Sequence, residues 1–424
     1  MMEIDCARGV DATVTVPGSK SYTQRALVVA ALAEGESVVE GALLCEDSAH
    51  LIRALQALGA GVYQRGKDLL VRGTGGRVRN PHAPIYLGDN GTAMRILTSV
   101  VCLGEGVFEL TGSARLCQRP MEPLLRALRE LGVDAWSKRG DGAPPVIVRA
   151  QGFPGGGAVF GELQSSQFVS SLLIAAPLAK RDTRIDLMGR VPSFPYTDMT
   201  VRVMEEFGVK VTRSGQSTYW IAGGQRYIGR AYRVEGDLSS ASYFFAAAAV
   251  CKGRVRVENV NPDSAQGDVK FLGILESLGC RVTRGEHWIE AVREGPLTQG
   301  DMTLDMGEMP DVVPTLSVIA AVRSGRTVIK GVGHLRVKES DRLAALVTEL
   351  RKTGVVAEEI RDGLAICGGR PHGAQIDTYN DHRMAMSFAV LGLAVPGIRL
   401  VGTGCVKKSF PNFWTELKRL SVGS

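Results

Sequence analysis

Six short polar motifs stand directly before apolar, helix-like runs: Gly18-Ser-Lys-Ser21, Gly88-Asp-Asn-Gly-Thr92, Gln164-Ser-Ser-Gln167, Gly236-Asp-Leu-Ser-Ser240, Met309-Pro-Asp311 and Asn380-Asp-His-Arg383. A polar start to a helix offers unpaired N–H groups and the positive end of the helix dipole, so the chemistry this pattern supports is the handling of anions. Lys20, Ser21 and Arg25 form the densest such group. They are no Walker P-loop, because Ser19 stands where Gly-Lys is needed and position 14 is Val14. Ser165, Ser166 and Gln167 offer two hydroxyls and an amide, a set that an ordinary helix cap also explains. Arg115 and Arg119 follow a strand end in Leu110–Met121. The run Arg336–Arg342 puts Lys338, Glu339 and Arg342 within two helical turns, as an exposed charged face would. Asp311, beside Pro310 and before a nearly apolar helix, reads as an N-cap or a placed acid. Tyr379–Met386 gathers Asp381, His382 and Arg383 before another apolar helix.

Other chemistries are less well served. The six histidines (His50, His82, His287, His334, His372, His382) have no ligand spacing, so no metal is expected. No G-x-S-x-G occurs, which removes the nucleophile elbow of a serine hydrolase. The net charge of +6 over 424 residues comes without a Lys/Arg run, so neither a nucleic acid nor a membrane surface is an expected partner. Eight scattered cysteines without a C-x-x-C pair fit reduced, mostly buried thiols. The longest apolar run, Tyr243–Cys251, is too short to span a bilayer, and the first motif arrives by Gly18; a cytoplasmic location is expected.

A repeat supplies the elements that must position these groups. Helix-like segments end in glycine at Gly59, Gly132, Gly208, Gly279 and Gly354, 71 to 76 residues apart, where a left-handed C-cap is wanted. Those segments are amphipathic and belong outside, whereas the runs after the six polar motifs are apolar on nearly every face and belong inside. Each unit reads helix, strand, helix, then a strand or hairpin. The sixth unit stops early after Phe410–Leu420, and Glu3–Val16 looks like the hairpin that completes it. Three units fill 19–236 and three fill 237–424 with 1–18, with similar crossings at Val16-Pro-Gly-Ser19 and Val234-Glu-Gly-Asp237. The fold class expected is α/β, in two similar domains around buried helices.

Taken together, the motifs resemble one family, the enolpyruvyl transferases, and within it the branch whose acceptor is shikimate 3-phosphate. The likeness runs through Pro17–Leu27, Gly88–Arg95, Ser165–Phe168, Glu235–Phe244, Arg336–Arg342 and Tyr379–Met386 to the neighbourhood of Lys408–Pro411. It implies domains of three βαβαββ-like repeats each, an inside-out α/β barrel type of fold. It also implies that shikimate 3-phosphate is held by Lys20, Ser21, Arg25, Ser165, Ser166, Gln167, Ser193, Tyr196, Asp311, His334 and Lys338, although His334 stands where the family often has Asn. Phosphoenolpyruvate is implied to lie against Lys20, Gly91, Arg119, Gln167, Arg342, Arg383 and Lys408. The implied catalytic groups are Asp311, as acceptor of the 5-hydroxyl proton, and Glu339 with Lys20, for proton traffic at C3.

The implied reaction joins the 5-hydroxyl of shikimate 3-phosphate to the enolpyruvyl group and releases phosphate, on the route to chorismate and aromatic amino acids. It needs no cofactor and no partner beyond the two small molecules, and a monomer is expected. The family is the target of the phosphoenolpyruvate mimic glyphosate; here Asp89-Asn90 replaces a more usual Asn-Ala or Asn-Ser, and Ile96 stands where some members have Pro. A sister branch acts on UDP-N-acetylglucosamine. It carries Lys-Asn where this chain has Lys20-Ser21, and a reactive Cys where this chain has Ala114; Cys117 is only two residues before Arg119. A non-catalytic anion-binding relative would not be expected to retain Lys20, Asp311, Glu339, Arg383 and Lys408 together.

Overall fold

A computed structural model describes residues 1–420. The chain forms two compact units, Gly18–Val234 and Met1–Pro17 with Glu235–Ser424.

In the unit Gly18–Val234, α1 (Lys20–Leu32) and α2 (Glu46–Ala57) flank the strand Glu36–Glu40 and precede a hairpin, Gly61–Arg65 with Asp68–Arg72. The pattern recurs with α3 (Gly91–Val100) and α4 (Glu122–Glu130), and again with α5 (Gln167–Ala175) and α6 (Pro195–Glu206). Each repeat owns a four-stranded sheet in which one parallel strand pair continues into antiparallel pairing. The leading strand of the first sheet is Ala231–Arg233, which returns from the far end of the unit to lie parallel to Glu36–Glu40. Apolar sequence on every face buries α1, α3 and α5 almost throughout. By contrast α4 buries only Leu124, Leu125, Ala127 and Leu128, one side of an amphipathic helix.

The second unit repeats the plan with α7 (Leu238–Cys251) and α8 (Phe271–Ser277), α9 (Val313–Val322) and α10 (Arg342–Lys352), then α11 (His382–Ala394) and α12 (Phe413–Leu420). Its core surrounds α7, α9 and α11, with Phe244, Phe410 and Phe413 in mutual ring contact at centroid distances of 5.6 to 6.2 Å. All five glycines that end the amphipathic helices have positive φ, from +80° at Gly354 to +112° at Gly59, as a left-handed C-cap requires.

The N-terminus departs from the expected hairpin. Met2–Glu3 pairs antiparallel with Arg399–Val401 and adds a third strand to the last sheet, whereas Val10–Thr15 runs parallel to Gly253–Glu258 in a different sheet. Between them the chain follows the end of α11, where the amides of Ile4 and Ala7 donate to the carbonyls of Ile398 and Leu393. Val10, Val14 and Ala12 are inward and buried, an alternation that a parallel partner satisfies as readily as a hairpin mate.

The eight cysteines are free thiols, but only Cys102, Cys117, Cys251 and Cys280 are buried; Cys45 and Cys405 are half-buried, and Cys6 and Cys367 are exposed. Among the described residues no helix is long and apolar enough to cross a membrane.

Candidate active site

The unit Gly18–Val234 gathers its polar groups at the starts of α1, α3 and α5. Arg25, one turn into α1 and only 1% exposed, is held by Thr200 Oγ1 at 2.7 Å, Ser170 Oγ at 3.3 Å, and the carbonyls of Ser21 and Tyr196 at 3.0 and 3.2 Å. Its guanidinium also lies 5.7 Å from the centre of the Tyr196 ring. Among the described residues none of its hydrogen-bond partners is a carboxylate. Burial lowers its pKa to about 10 against the pull of Tyr196, Tyr22 and Tyr232, so it stays charged at neutral pH with its charge uncompensated. Tyr196 follows a turn in which Ser193 has φ +58° and accepts from the Tyr196 amide at 3.1 Å.

Lys20 Nζ stands 3.5 Å from Asp47 Oδ2. Asn90 ties that contact to α3: its side chain donates to the Asp47 carbonyl at 2.9 Å and accepts from the Ala93 amide at 2.9 Å, capping the helix. At the first residue of α3, a Cβ on Gly91 would fall 2.5 Å from guanidinium nitrogens of both Arg119 and Arg95. Glycine therefore lets two cations crowd a helix N-terminus, the arrangement an anion seeks. Arg95 is fixed by the carbonyls of Gly91 and Pro120 at 3.1 and 2.9 Å. Gln167 reaches across from α5 to Thr92 Oγ1 at 3.1 Å, and its amide donates to Ser165 Oγ at 3.2 Å. Ser166, at the N-cap of α5, makes no side-chain cap bond. The neighbouring Asp89 accepts from the Ser113 hydroxyl.

The second unit is built of ion pairs. Asp311 sits in a 3-10 turn, Pro310–Val312, before α9. It caps no helix; Oδ1 meets Arg342 Nη1 and Oδ2 meets Arg383 Nη2, each at 2.9 Å. Arg342 also contacts Asp381 at 2.8 Å and Glu339 at 2.9 Å, and Glu339 lies 3.5 Å from Lys408. Arg383 donates to Tyr243 Oη at 3.2 Å. Asp381 caps α11 by accepting from the Arg383 amide at 2.9 Å, and it takes the Ser340 hydroxyl at 3.0 Å. Arg342, Asp381 and Arg383 are almost wholly buried.

Burial alone would push the Asp311 carboxyl up, but Arg383, Arg342 and Lys338 outweigh it and hold Asp311 well below the usual carboxylate range. The two guanidiniums are in turn held above their ordinary value, despite burial, chiefly by Asp381 around Arg342 and by Tyr243 and Asp311 around Arg383. Burial pushes Tyr243 up to about 12, so it remains a neutral donor or acceptor. His334, half-buried, lies in the 3-10 segment Gly333–Val337 just before Lys338.

Lys20, Ser21, Gly91, Ser166, Gln167, Arg342 and Arg383 lie at or next to helix starts, whereas Arg119, His334 and Lys408 lie in or at the ends of 3-10 segments. Their supports include Asn90, Thr92 and Asp381, which stood inside the polar motifs without an assigned role, and Asp47, Arg95, Ser170, Thr200, Tyr243 and Ser340, which were missed. Arg95 follows Gly91 by one helical turn and Asp381 begins a helix, signals that were available. Asp47, Thr200 and Tyr243 had none, because each meets its partner across a long sequence separation.

The two-domain α/β architecture defines the class. A solved EPSP synthase from Acinetobacter baumannii matches with a TM-score of 0.82 and 28% identity, covering 99% of this chain and 97% of that one. The fold is thus the inside-out α/β type of these transferases, with six small sheets. A curated 3-phosphoshikimate 1-carboxyvinyltransferase from Trichormus variabilis is 43% identical over 415 residues, 97% of each chain. Another from Methanoregula boonei is 42% identical over 413 residues, again 97% of each. The sequence model of the EPSP synthase (3-phosphoshikimate 1-carboxyvinyltransferase) family matches residues 5–417, and the chain belongs to that family.

Proposed function

We propose that the chain is an enzyme that transfers the enolpyruvyl group of phosphoenolpyruvate to the 5-hydroxyl of shikimate 3-phosphate, in the pathway to chorismate and aromatic amino acids. The observation that carries the reading is Asp311 clamped between Arg342 and Arg383, with Glu339 and Lys408 in the same network. The reaction needs a base and an acid among cations, and this unit supplies them.

The chemistry divides the residues. Protonation of C3 makes C2 of phosphoenolpyruvate electrophilic; Glu339, with Lys20, is assigned that proton traffic. The 5-hydroxyl oxygen bonds to C2 while Asp311 takes its proton. The resulting ketal then returns the C3 proton and breaks the C2–O bond to release phosphate, whose developing charge Arg119, Arg342, Arg383 and Lys408 stabilise. Lys20, Gly91 and Gln167 are assigned to phosphoenolpyruvate as well. Shikimate 3-phosphate is assigned to Lys20, Ser21, Arg25, Ser165, Ser166, Gln167, Ser193, Tyr196, Asp311, His334 and Lys338.

The clamp has a consequence for the base. With both carboxylate oxygens on guanidiniums, Asp311 binds protons poorly. An anion that takes up part of Arg342 and Arg383 would raise its proton affinity, so the base becomes competent when the substrate is in place. The two units correspond in this reading to the two enolpyruvyl-transferase domains, and the enzyme works as a cytoplasmic monomer. Rapid phosphate release with both substrates, and none when shikimate 3-phosphate is omitted, is the expected result; equal release without the acceptor would sink the reading.

A further inference from the structure

Asp268 plays no part in the scheme above, yet it is a buried carboxyl within electrostatic range of Asp311 and Arg383. It lies in the 3-10 segment Gly267–Lys270, 5% exposed. Gln266 pins that segment to the start of α7 through the Leu238 amide and the carbonyl of Gly236, at 3.0 and 2.9 Å. Asp268 Oδ2 accepts from the Ser239 hydroxyl, while Oδ1 is buried without a hydrogen-bond donor. Arg383 meets the same helix one turn further on, at Tyr243 Oη; its Nη1 and Nη2 serve Tyr243 and Asp311, and its buried Nε meets no acceptor.

The charges that act most on Asp268 are those of Asp311 on the turn before α9, Arg383 on α11 and Asp237 at the start of α7. Arg383 thus pairs with Asp311, which Arg342 shares, and also feels the charges of Asp237 and Asp268. Any further anion on Arg383 weakens the attraction that keeps the Asp268 carboxyl ionised, and a buried charge without compensation is expensive.

Given that Arg342 and Arg383 hold phosphoenolpyruvate, as proposed above, we infer that Asp268 is a positioning residue whose carboxyl takes a proton from solvent when that anion binds, keeping Arg383 available to it. The carboxyl is poised for this: burial, then repulsion by Asp311, raises its pKa to about 7 against the hydrogen bond from Ser239 and the charge of Arg383. Protonation neutralises one competitor for Arg383 without moving any side chain.

The test is calorimetric titration of the full chain with phosphoenolpyruvate at pH 7, in two buffers of different ionisation enthalpy. The ligand's own phosphate contributes equally in every variant. The wild type should take up about 0.3 to 0.5 proton per ligand more than Asp268→Asn. Ser239→Ala covers a failure of the first variant to fold: loss of its hydrogen bond should leave Asp268 already protonated, so uptake at pH 7 falls and reappears at higher pH. In kinetics, the KM for phosphoenolpyruvate should rise less steeply with pH in Asp268→Asn while kcat stays within about threefold. Equal proton counts, or a loss of kcat with parallel KM profiles, would overturn the inference and leave the functional reading intact. Absence of phosphoenolpyruvate binding to the wild type would remove both.

Discussion

The two units place polar groups at the same structural positions, the starts of buried helices, and charge them in opposite ways. In Gly18–Val234 the buried cation Arg25 rests on hydroxyls and carbonyls, and among the described residues no carboxylate is its hydrogen-bond partner. In the other unit Arg342 is shared among Asp311, Glu339 and Asp381. The first arrangement leaves charge for a ligand to neutralise, which suits gripping a phosphate. The second spends its charge internally and tunes the proton affinity of its acids, which suits proton transfer.

The largest test of this contrast is Asp311→Asn. The amide keeps the shape but cannot take a proton, and kcat measured by phosphate release should fall by about 10² to 10⁴-fold with KM for phosphoenolpyruvate changed far less. A kcat near that of the wild type would remove the distinction between a gripping and a proton-handling unit.

Stability offers the next test. Arg342→Gln takes a cation from three carboxylates, leaving Asp311 with Arg383, Glu339 with Lys408 and the buried Asp381 with hydrogen bonds alone, and should destabilise the fold by about 3–5 kcal/mol in denaturant unfolding. Arg25→Gln strands none and should cost about 1 kcal/mol or less, while raising the KM for shikimate 3-phosphate. Equal losses would show that the two arginines are embedded alike. At Gly91, alanine would push a methyl against Arg95 and Arg119, and the KM for phosphoenolpyruvate should rise about tenfold with kcat nearly kept, the response of a binding rather than a proton-transfer element.

A further test concerns pH. Between the ordinary aspartate pKa and about 7 the folded state holds the Asp268 proton more tightly than the unfolded chain does, so stability contributed through this group falls as pH rises through that window. Asp268→Asn removes the penalty, and its midpoint temperature relative to wild type should improve from pH 5 to pH 8. A difference that stays constant across that range would mean Asp268 titrates at an ordinary value.

How far these features were legible depends on sequence distance. Gly59, Gly132, Gly208, Gly279 and Gly354 were readable as helix ends because a C-cap is decided by backbone sterics within a few residues. Asp311 was readable as a placed acid, but its partners Arg342 and Arg383 lie 31 and 72 positions away, and nothing local says that α10 and α11 begin beside it. The support of Lys20 by Asp47, itself tied to Asn90 43 residues on, was invisible for the same reason. The N-terminal hairpin failed because an alternating strand specifies which side faces inward and not which strand it pairs with.

The sequence by itself determined the repeat, the inner and outer helices, the polar helix starts and the family resemblance, since each rests on periodicity or on short contiguous motifs. Only the tertiary structure decided which cations are compensated. Whether an arginine beside a helix start is free for a ligand or tied to a carboxylate depends on which distant turns pack against it, and that is settled by the arrangement of the buried helices.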